Sequence, residues 1–184
     1  KGPSATTVSI QDDVVTQGDS VLVRGMVTDK SPGTQEYAQT ARFPNGVPAM
    51  ADESMSAWME YLYQQQPMPT NAKGVEVIVE VFDPNNNYYE VGRTTSDATG
   101  FFKLMFTPEV PGEYTVVARF AGSAGYWPSY AETGLGVKPA PDATPEPTQA
   151  PASLADQYML PGIGIIVAAI AIVGALTLLM LRKK

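Results

Sequence analysis

The side chains that carry most protein chemistry are missing from this chain. Its 184 residues include no histidine and no cysteine. That removes the usual general base, the thiol nucleophile and the nitrogen and sulfur ligands of transition-metal sites. Carboxylates and aromatics remain. Asp12, Asp13, Asp29, Asp83 and Asp97 fall at strand ends or turns, where clustered carboxylates can ligate calcium through oxygen. No D-x-D-x-D-G loop accompanies them, and turn aspartates commonly accept backbone N–H groups instead. Glu53 and Glu60 stand two helical turns apart, but paired carboxylates alone do not make a glycosidase. No G-x-S-x-G, phosphate loop or metal-ligand spacing occurs. We therefore expect no enzyme activity, no cofactor and no metal site.

Two aromatic groups are candidates for binding. Tyr126, Trp127 and Tyr130 in GYWPSY could form a sugar-contact patch; the alternative is a turn whose rings pack on the core. The second group lies in ADESMSAWMEYLYQQQ (51–66). Met55, Trp58, Met59 and Leu62 recur there at spacings of three and four, which predicts one apolar helix face. Asp52 and Glu53 would favour the helix dipole in its first turn, and Pro67 would end it. This face either covers an end or edge of a sheet or docks another protein. In the docking case Met55, Trp58, Met59, Tyr61 and Leu62 carry the contact, with Met50 and Tyr63 beside them, because Met and aromatics are enriched at interfaces. Residues 31–49, with Tyr37 and Phe43, would join it.

These groups need a scaffold, and the sequence predicts one that is mainly β. Val8 and Ile10, Val21 to Val27, Val75 to Val81, Phe102 to Phe106, Tyr114 to Phe120 and Thr133 to Val137 alternate with neighbours of the opposite face. Gly18-Asp19, Asp83-Pro84-Asn85, Asp97 to Gly100 and Pro111-Gly112 supply reversals between them. About seven or eight strands with short connections predict an immunoglobulin-like β-sandwich over 1–137. It is interrupted by an insertion at about 30–73 that contains the helix 51–66.

Residues 138–157, KPAPDATPEPTQAPASLADQ, carry five prolines and predict an extended linker. From Tyr158 to Leu181 no residue is charged, and Ile163–Leu181 is apolar enough for a membrane helix. The tail Arg182-Lys183-Lys184 places that end in the cytoplasm by the positive-inside rule, and the N-terminal bulk outside. The expected location is a single-pass cell membrane protein in contact with lipid. Gly164, Ala168, Ala171 and Ala175 make a small-residue stripe that would suit helix packing in the membrane.

Net charge is −7; without the last three cations, nine Lys and Arg face 19 Asp and Glu, a net of −10. Such a surface repels phosphate backbones, so nucleic acid is not an expected partner.

The stretch TSDATGFFKLMFTPEVPGEYTVVARFAGSAGYWPSYAETGLGV (95–137) resembles the final strands of prokaryotic immunoglobulin-like surface repeats. Those share a D-x-x-G turn, an aromatic strand ending in T-P, then P-G-x-Y-x-V. Tyr114 resembles their tyrosine corner, whereas the usual core Trp of the third strand is replaced by the region of Val77 and Val79. Across most of the chain, VTQGDSVLVRGMVTD, MADESMSAWMEYLYQQQP, TPEVPGEYTV and the Pro-rich tail into a helix ending RKK are similar to the C-terminal anchoring region of archaeal, Methanosarcina-type cell-surface proteins. Some of those carry pyrroloquinoline-quinone-like β-propeller repeats, none of which occurs here. LPGIG (160–164) is similar to archaeal sorting signals of the Pro-Gly-Phe kind, with Ile163 in place of Phe. The resemblance implies a non-catalytic surface module: part of an envelope layer, or an accessory subunit binding membrane or envelope proteins or itself. The alternatives are a calcium- or glycan-binding module, and the anchor of a larger propeller oxidoreductase.

Overall fold

The computed structural model describes the backbone of residues 1–141 and 154–182; in the second stretch the side chains of 163–180 and 182 are described. Most of the predicted linker, 142–153, and the last two lysines lie outside the described residues. The chain forms two units, Lys1–Pro141 and Asp142–Lys184.

The first unit is mainly β. Its strands are β1 (Ser4–Ile10), β2 (Val14–Thr16), β3 (Val21–Asp29), β4 (Glu76–Phe82), β5 (Tyr88–Thr95), β6 (Phe101–Phe106), β7 (Gly112–Phe120) and β8 (Ser129–Lys138). They build a three-stranded sheet, β1-β3-β6, and a five-stranded sheet, β2-β8-β7-β4-β5. Most pairings are antiparallel, but β2 runs parallel to β8. The chain thus leaves one sheet after β1 and joins the far edge of the other with β2.

Period-two patterning explains how the sheets meet. Val21 and Val23 of β3 and Phe106 of β6 share one buried cluster with Val79, Val81, Tyr114, Val116, Leu135 and Val137 of the other sheet. A second cluster joins Val27 and Phe102 to Val75, Val77, Ala118 and Phe120. The apolar faces therefore pack on each other, and burial of this surface is the main force holding the layers together. Tight turns close the hairpins. Before β6, the Asp97 carboxylate accepts the N–H groups of Thr99 and Phe101 at 2.8 and 3.1 Å. Gly112 opens β7 with φ +136°, and an added Cβ would lie 2.6 Å from the Pro84 ring, so only glycine fits there.

Between β3 and β4 lie α1 (Tyr37–Arg42) and α2 (Met55–Tyr63), the latter preceded by a 3-10 turn at Asp52–Ser54. The predicted helix 51–66 is thus shorter at both ends. It stops at Tyr63 rather than at Pro67, because Gln65 adopts a left-handed conformation, φ 55°. The insertion is stitched to the sheets through residues 47–51: Asp29 N–H donates to Val47, Ala49 N–H to Val27 and Ala51 N–H to Lys73.

In the second unit, α3 runs from Leu154 to Leu181. It begins at Leu154, inside the segment 138–157 expected to be linker and ahead of the uncharged stretch that starts at Tyr158, and continues through Pro161-Gly162. Ile163–Met180 has a mean hydropathy of 2.8 and is not buried within the structure, so the helix is long and apolar enough to cross a membrane.

Candidate functional site

The aromatic helix is placed inward. Trp58 is 0% exposed and Leu62 4%. They form a third cluster with Val47 and Met50, against which Phe43, Met59, Tyr61 and Ala72 pack. Trp58, Phe43 and Tyr61 form a triangle of rings, with centroids 6.0, 5.3 and 6.5 Å apart for Phe43–Trp58, Trp58–Tyr61 and Phe43–Tyr61. Arg42 covers this group, its guanidinium carbon 4.6 Å from the Tyr61 ring, and donates to the Leu62 carbonyl at 3.2 Å. Met55 reaches the second cluster beside Tyr126. Of the five predicted docking residues, Trp58 and Leu62 thus have no surface to offer, and Met55, Met59 and Tyr61 are half-buried. Periodicity identifies the apolar face of a helix but does not say what covers it.

The acidic first turn also has a different use from the one expected. Neither the 3-10 turn nor α2 has a side-chain cap. Instead the Asp52 carboxylate accepts the N–H groups of Ala124 and Gly125, at 2.8 and 2.9 Å, and the Ser123 hydroxyl at 2.9 Å. These bonds hold its carboxyl below the usual range and tie the insertion to the β7–β8 loop. Glu53 pairs with Lys73 at 2.8 Å.

GYWPSY divides. Tyr126 is 2% exposed, and its hydroxyl donates to Asp29 at 3.2 Å. It belongs to the core and cannot touch a glycan. Trp127 and Tyr130 are 56% and 69% exposed, with Lys1 lying over the Trp127 ring at 5.6 Å.

Three of the five turn carboxylates, Asp29, Asp83 and Asp97, are engaged by the protein itself. Asp83 accepts the N–H groups of Asn85 and Asn87 and the Asn87 side chain, at 2.9, 2.8 and 2.7 Å. Asp29 takes Ser31 N–H as well as Tyr126. Among the described residues no three carboxylates converge as a metal site.

The outward face of the five-stranded sheet carries groups that were not singled out from the sequence. Strand register aligns Tyr130, Arg119, Ile78 and Arg93 in one row and Glu132, Val117, Glu80 and Glu90 in the next; Phe82 and Tyr88 are paired beyond them. Glu80 is 5% exposed although it faces outward. Arg119 clamps it through two bonds, 2.6 and 3.0 Å, and Arg93 holds Glu90 and Glu76. The available signal was a strand, EVIVEVF, whose outward positions alternate Glu76, Ile78, Glu80 and Phe82, with a glutamate in mid-strand.

In α3, Gly164, Ala168, Ala171 and Ala175 are exposed, as is the remainder of 163–180. Among the described residues nothing packs on this stripe.

No family model matches the chain, and no curated protein matches it either. Solved structures show distant similarity. A superoxide reductase (neelaredoxin) from Ignicoccus hospitalis is 8% identical with a TM-score of 0.41, covering 73% of this chain and 80% of that one. The sporulation control protein Spo0M from Bacillus subtilis is 10% identical with a TM-score of 0.40, covering 75% and 50%. A hypothetical protein from Pyrococcus horikoshii is 10% identical with a TM-score of 0.38, covering 71% and 87%. At these scores the likeness bears on neither family nor activity.

Proposed function

We propose that this protein is a non-catalytic, membrane-anchored module whose immunoglobulin-like domain stands outside the cell. It serves an envelope layer or is an accessory subunit of a membrane complex. The observation that carries this reading is the division of the chain. One unit buries its apolar residues between two sheets, whereas the other offers eighteen unburied residues, Ile163–Met180, that need lipid. Water would not tolerate such a helix exposed on all sides.

The immunoglobulin-like assignment is supported by connectivity. Strands β1, β3 and β6 take the places of A, B and E, and β2, β8, β7, β4 and β5 those of A′, G, F, C and C′. The Tyr114 hydroxyl accepts Val110 N–H at 3.0 Å, four residues upstream, as a tyrosine corner does. The cytoplasmic side is assigned from Arg182-Lys183-Lys184. Exposed aromatics and arginines on the five-stranded sheet are residue types that dominate binding energy at interfaces.

Purification of the full chain from its native membrane in mild detergent, followed by mass analysis of everything retained, tests this reading. We expect retention in the membrane until detergent is added, then a defined assembly. Recovery in the soluble fraction without detergent would refute it.

A second reading, glycan binding, is favoured by the exposure of Trp127 and Tyr130. Titration with envelope glycans decides it: a Trp fluorescence change lost in Trp127→Ala supports it, and no change removes it.

A further inference from the structure

We propose that copies of this protein associate head to tail, the outward face of the three-stranded sheet of one copy docking on the outward face of the five-stranded sheet of the next. The inference rests on the anchored-module reading and names its partner as a second copy of this chain.

The starting observation is a local rule broken without compensation. Arg24 on β3 and Lys103 on β6 are directly opposite each other in the antiparallel register. Like charges so placed, with Cβ atoms about 5 Å apart, repel and destabilise a sheet. Both side chains are exposed, and neither forms an ion pair among the described residues. This occurs in a chain where acids outnumber bases, 19 to 12.

Apolar groups surround the two cations. In the adjoining rows, Leu22 pairs with Met105 and Met26 with Phe101, and Met105 and Phe101 are 64% and 45% exposed. The third strand adds only Ser9 and Thr7. No carboxylate stands in these rows. Arg24, Lys103, Leu22 and Phe101 also line, with the turn carboxylate Asp97, a groove of about 500 Å³ that opens toward Thr94 and Thr95 at the end of β5; the Asp97 carboxylate is engaged by Thr99 and Phe101 of its own turn. The face is cationic with an apolar rim, and it fits an anionic surface that carries apolar groups.

The same domain presents such a surface on its other side. The outward face of the five-stranded sheet holds Glu76, Glu80, Glu90, Glu113 and Glu132 against Arg93, Arg119 and, at the end of β8, Lys138. Both arginines are engaged by Glu76, Glu80 and Glu90, which leaves Glu113 and Glu132 without ion pairs among the described residues. Phe82, Tyr88 and Tyr130 add exposed rings, at 43%, 53% and 69%. The two faces are complementary in charge and lie on opposite sides of two packed layers. Their contact is therefore heterologous, and repetition extends it rather than closing a pair. Anchoring copies in one membrane raises their effective concentration and would let a weak contact operate.

The test uses the full chain in detergent and sedimentation velocity. Wild type is expected to grow beyond a dimer with concentration at low salt, and to return to its smallest species at about 0.5 M salt, where charges are screened. The double variant Arg24→Glu, Lys103→Glu makes both faces acidic, and Glu113→Lys, Glu132→Lys makes both basic in their free charges. Each alone should associate at least tenfold more weakly. Mixed together they should associate again, because complementarity is restored between unlike copies. Circular dichroism checks folding, and Arg24→Gln with Lys103→Gln, expected to weaken association in the same direction, serves if a reversal fails to fold. A single species at all concentrations, a closed salt-insensitive dimer, or unchanged behaviour of the mixed variants would overturn the proposal. A foreign subunit retained equally by wild type and charge variants would also overturn it while leaving the anchored-module reading intact.

Discussion

Arg119 on β7 clamps Glu80 on β4, Nη2 to Oε1 at 2.6 Å and Nε to Oε2 at 3.0 Å, on a sheet face that points away from the core. The pair shields Glu80 to 5% exposure and, with Tyr88 nearby, holds its carboxyl below the usual carboxylate range. Truncating Arg119 would leave a nearly buried carboxylate without its cation. Arg119→Met is expected to cost about 1–3 kcal/mol, the value of hydrogen bonds to a charged group; chemical denaturation measures it.

Acid should unfold the β unit through the same groups. The carboxyls of Glu80, Asp52 and Asp83 are all depressed: Glu80 chiefly by Arg119, Asp52 by the Ala124 N–H, and Asp83 by the Asn87 side chain. A depressed acid contributes stability above its unfolded value, here 3.8 for Asp and 4.5 for Glu, and loses it as pH falls through the folded value. Melting temperature should thus hold above about pH 5 and fall progressively below it. Asp52→Asn should lower the melting temperature at neutral pH and flatten the acid limb; an unchanged acid limb would contradict the assignment.

Alkali should act through Tyr126. Burial raises its hydroxyl, and the neighbouring Asp29 raises it further. For a raised group, stability is present below the unfolded value of 10.0 and is lost as pH rises above it. Phenolate absorbance from this ring should appear only as the fold opens. Tyr126→Phe should remove that contribution to the alkaline limb.

Trp58 decides whether α2 is structure or surface. Trp58→Ala is expected to destabilise by about 3–5 kcal/mol through the cavity it leaves. The indole Nε1 has no hydrogen-bond partner although buried, and an unsatisfied donor is a cost in itself. Trp58→Phe should therefore be much milder than the Ala variant. Equal melting temperatures for wild type and Trp58→Ala would show that the helix does not pack as described.

Tyr114→Phe removes the acceptor for Val110 N–H and is expected to cost about 1 kcal/mol with no change in strand content by circular dichroism.

The buried strands were legible because their inner positions are Val, Phe or Tyr at alternate places, as in Val75 to Val81 and Tyr114 to Phe120. Strand β5, YYEVGRTT, was not. It lies at a sheet edge with five of its eight residues exposed and none buried, and a bulge opposite Val79 and Glu80 breaks its alternation. The three residues of β2 were too few to show a period. The apolar stripe of α2 was legible, but its burial depends on Val47 and Met50, which approach through long-range pairing with β3 and with Gly74. Tyr126 and Trp127 are adjacent in sequence, and one is core while the other is surface. That division follows from long-range partners: the parallel bridge of Gly2 with Tyr126 and the bond from the Tyr126 hydroxyl to Asp29.

Because the chain has no native cysteine, a single introduced thiol reports location without ambiguity. Thr70→Cys, on an exposed loop of the β unit, and Lys184→Cys, at the basic tail, are compared by labelling intact cells with a membrane-impermeant maleimide. The account predicts labelling of Thr70→Cys in intact cells and of Lys184→Cys only after lysis. Labelling of Lys184→Cys alone in intact cells, or release of either protein by carbonate washing, would contradict it.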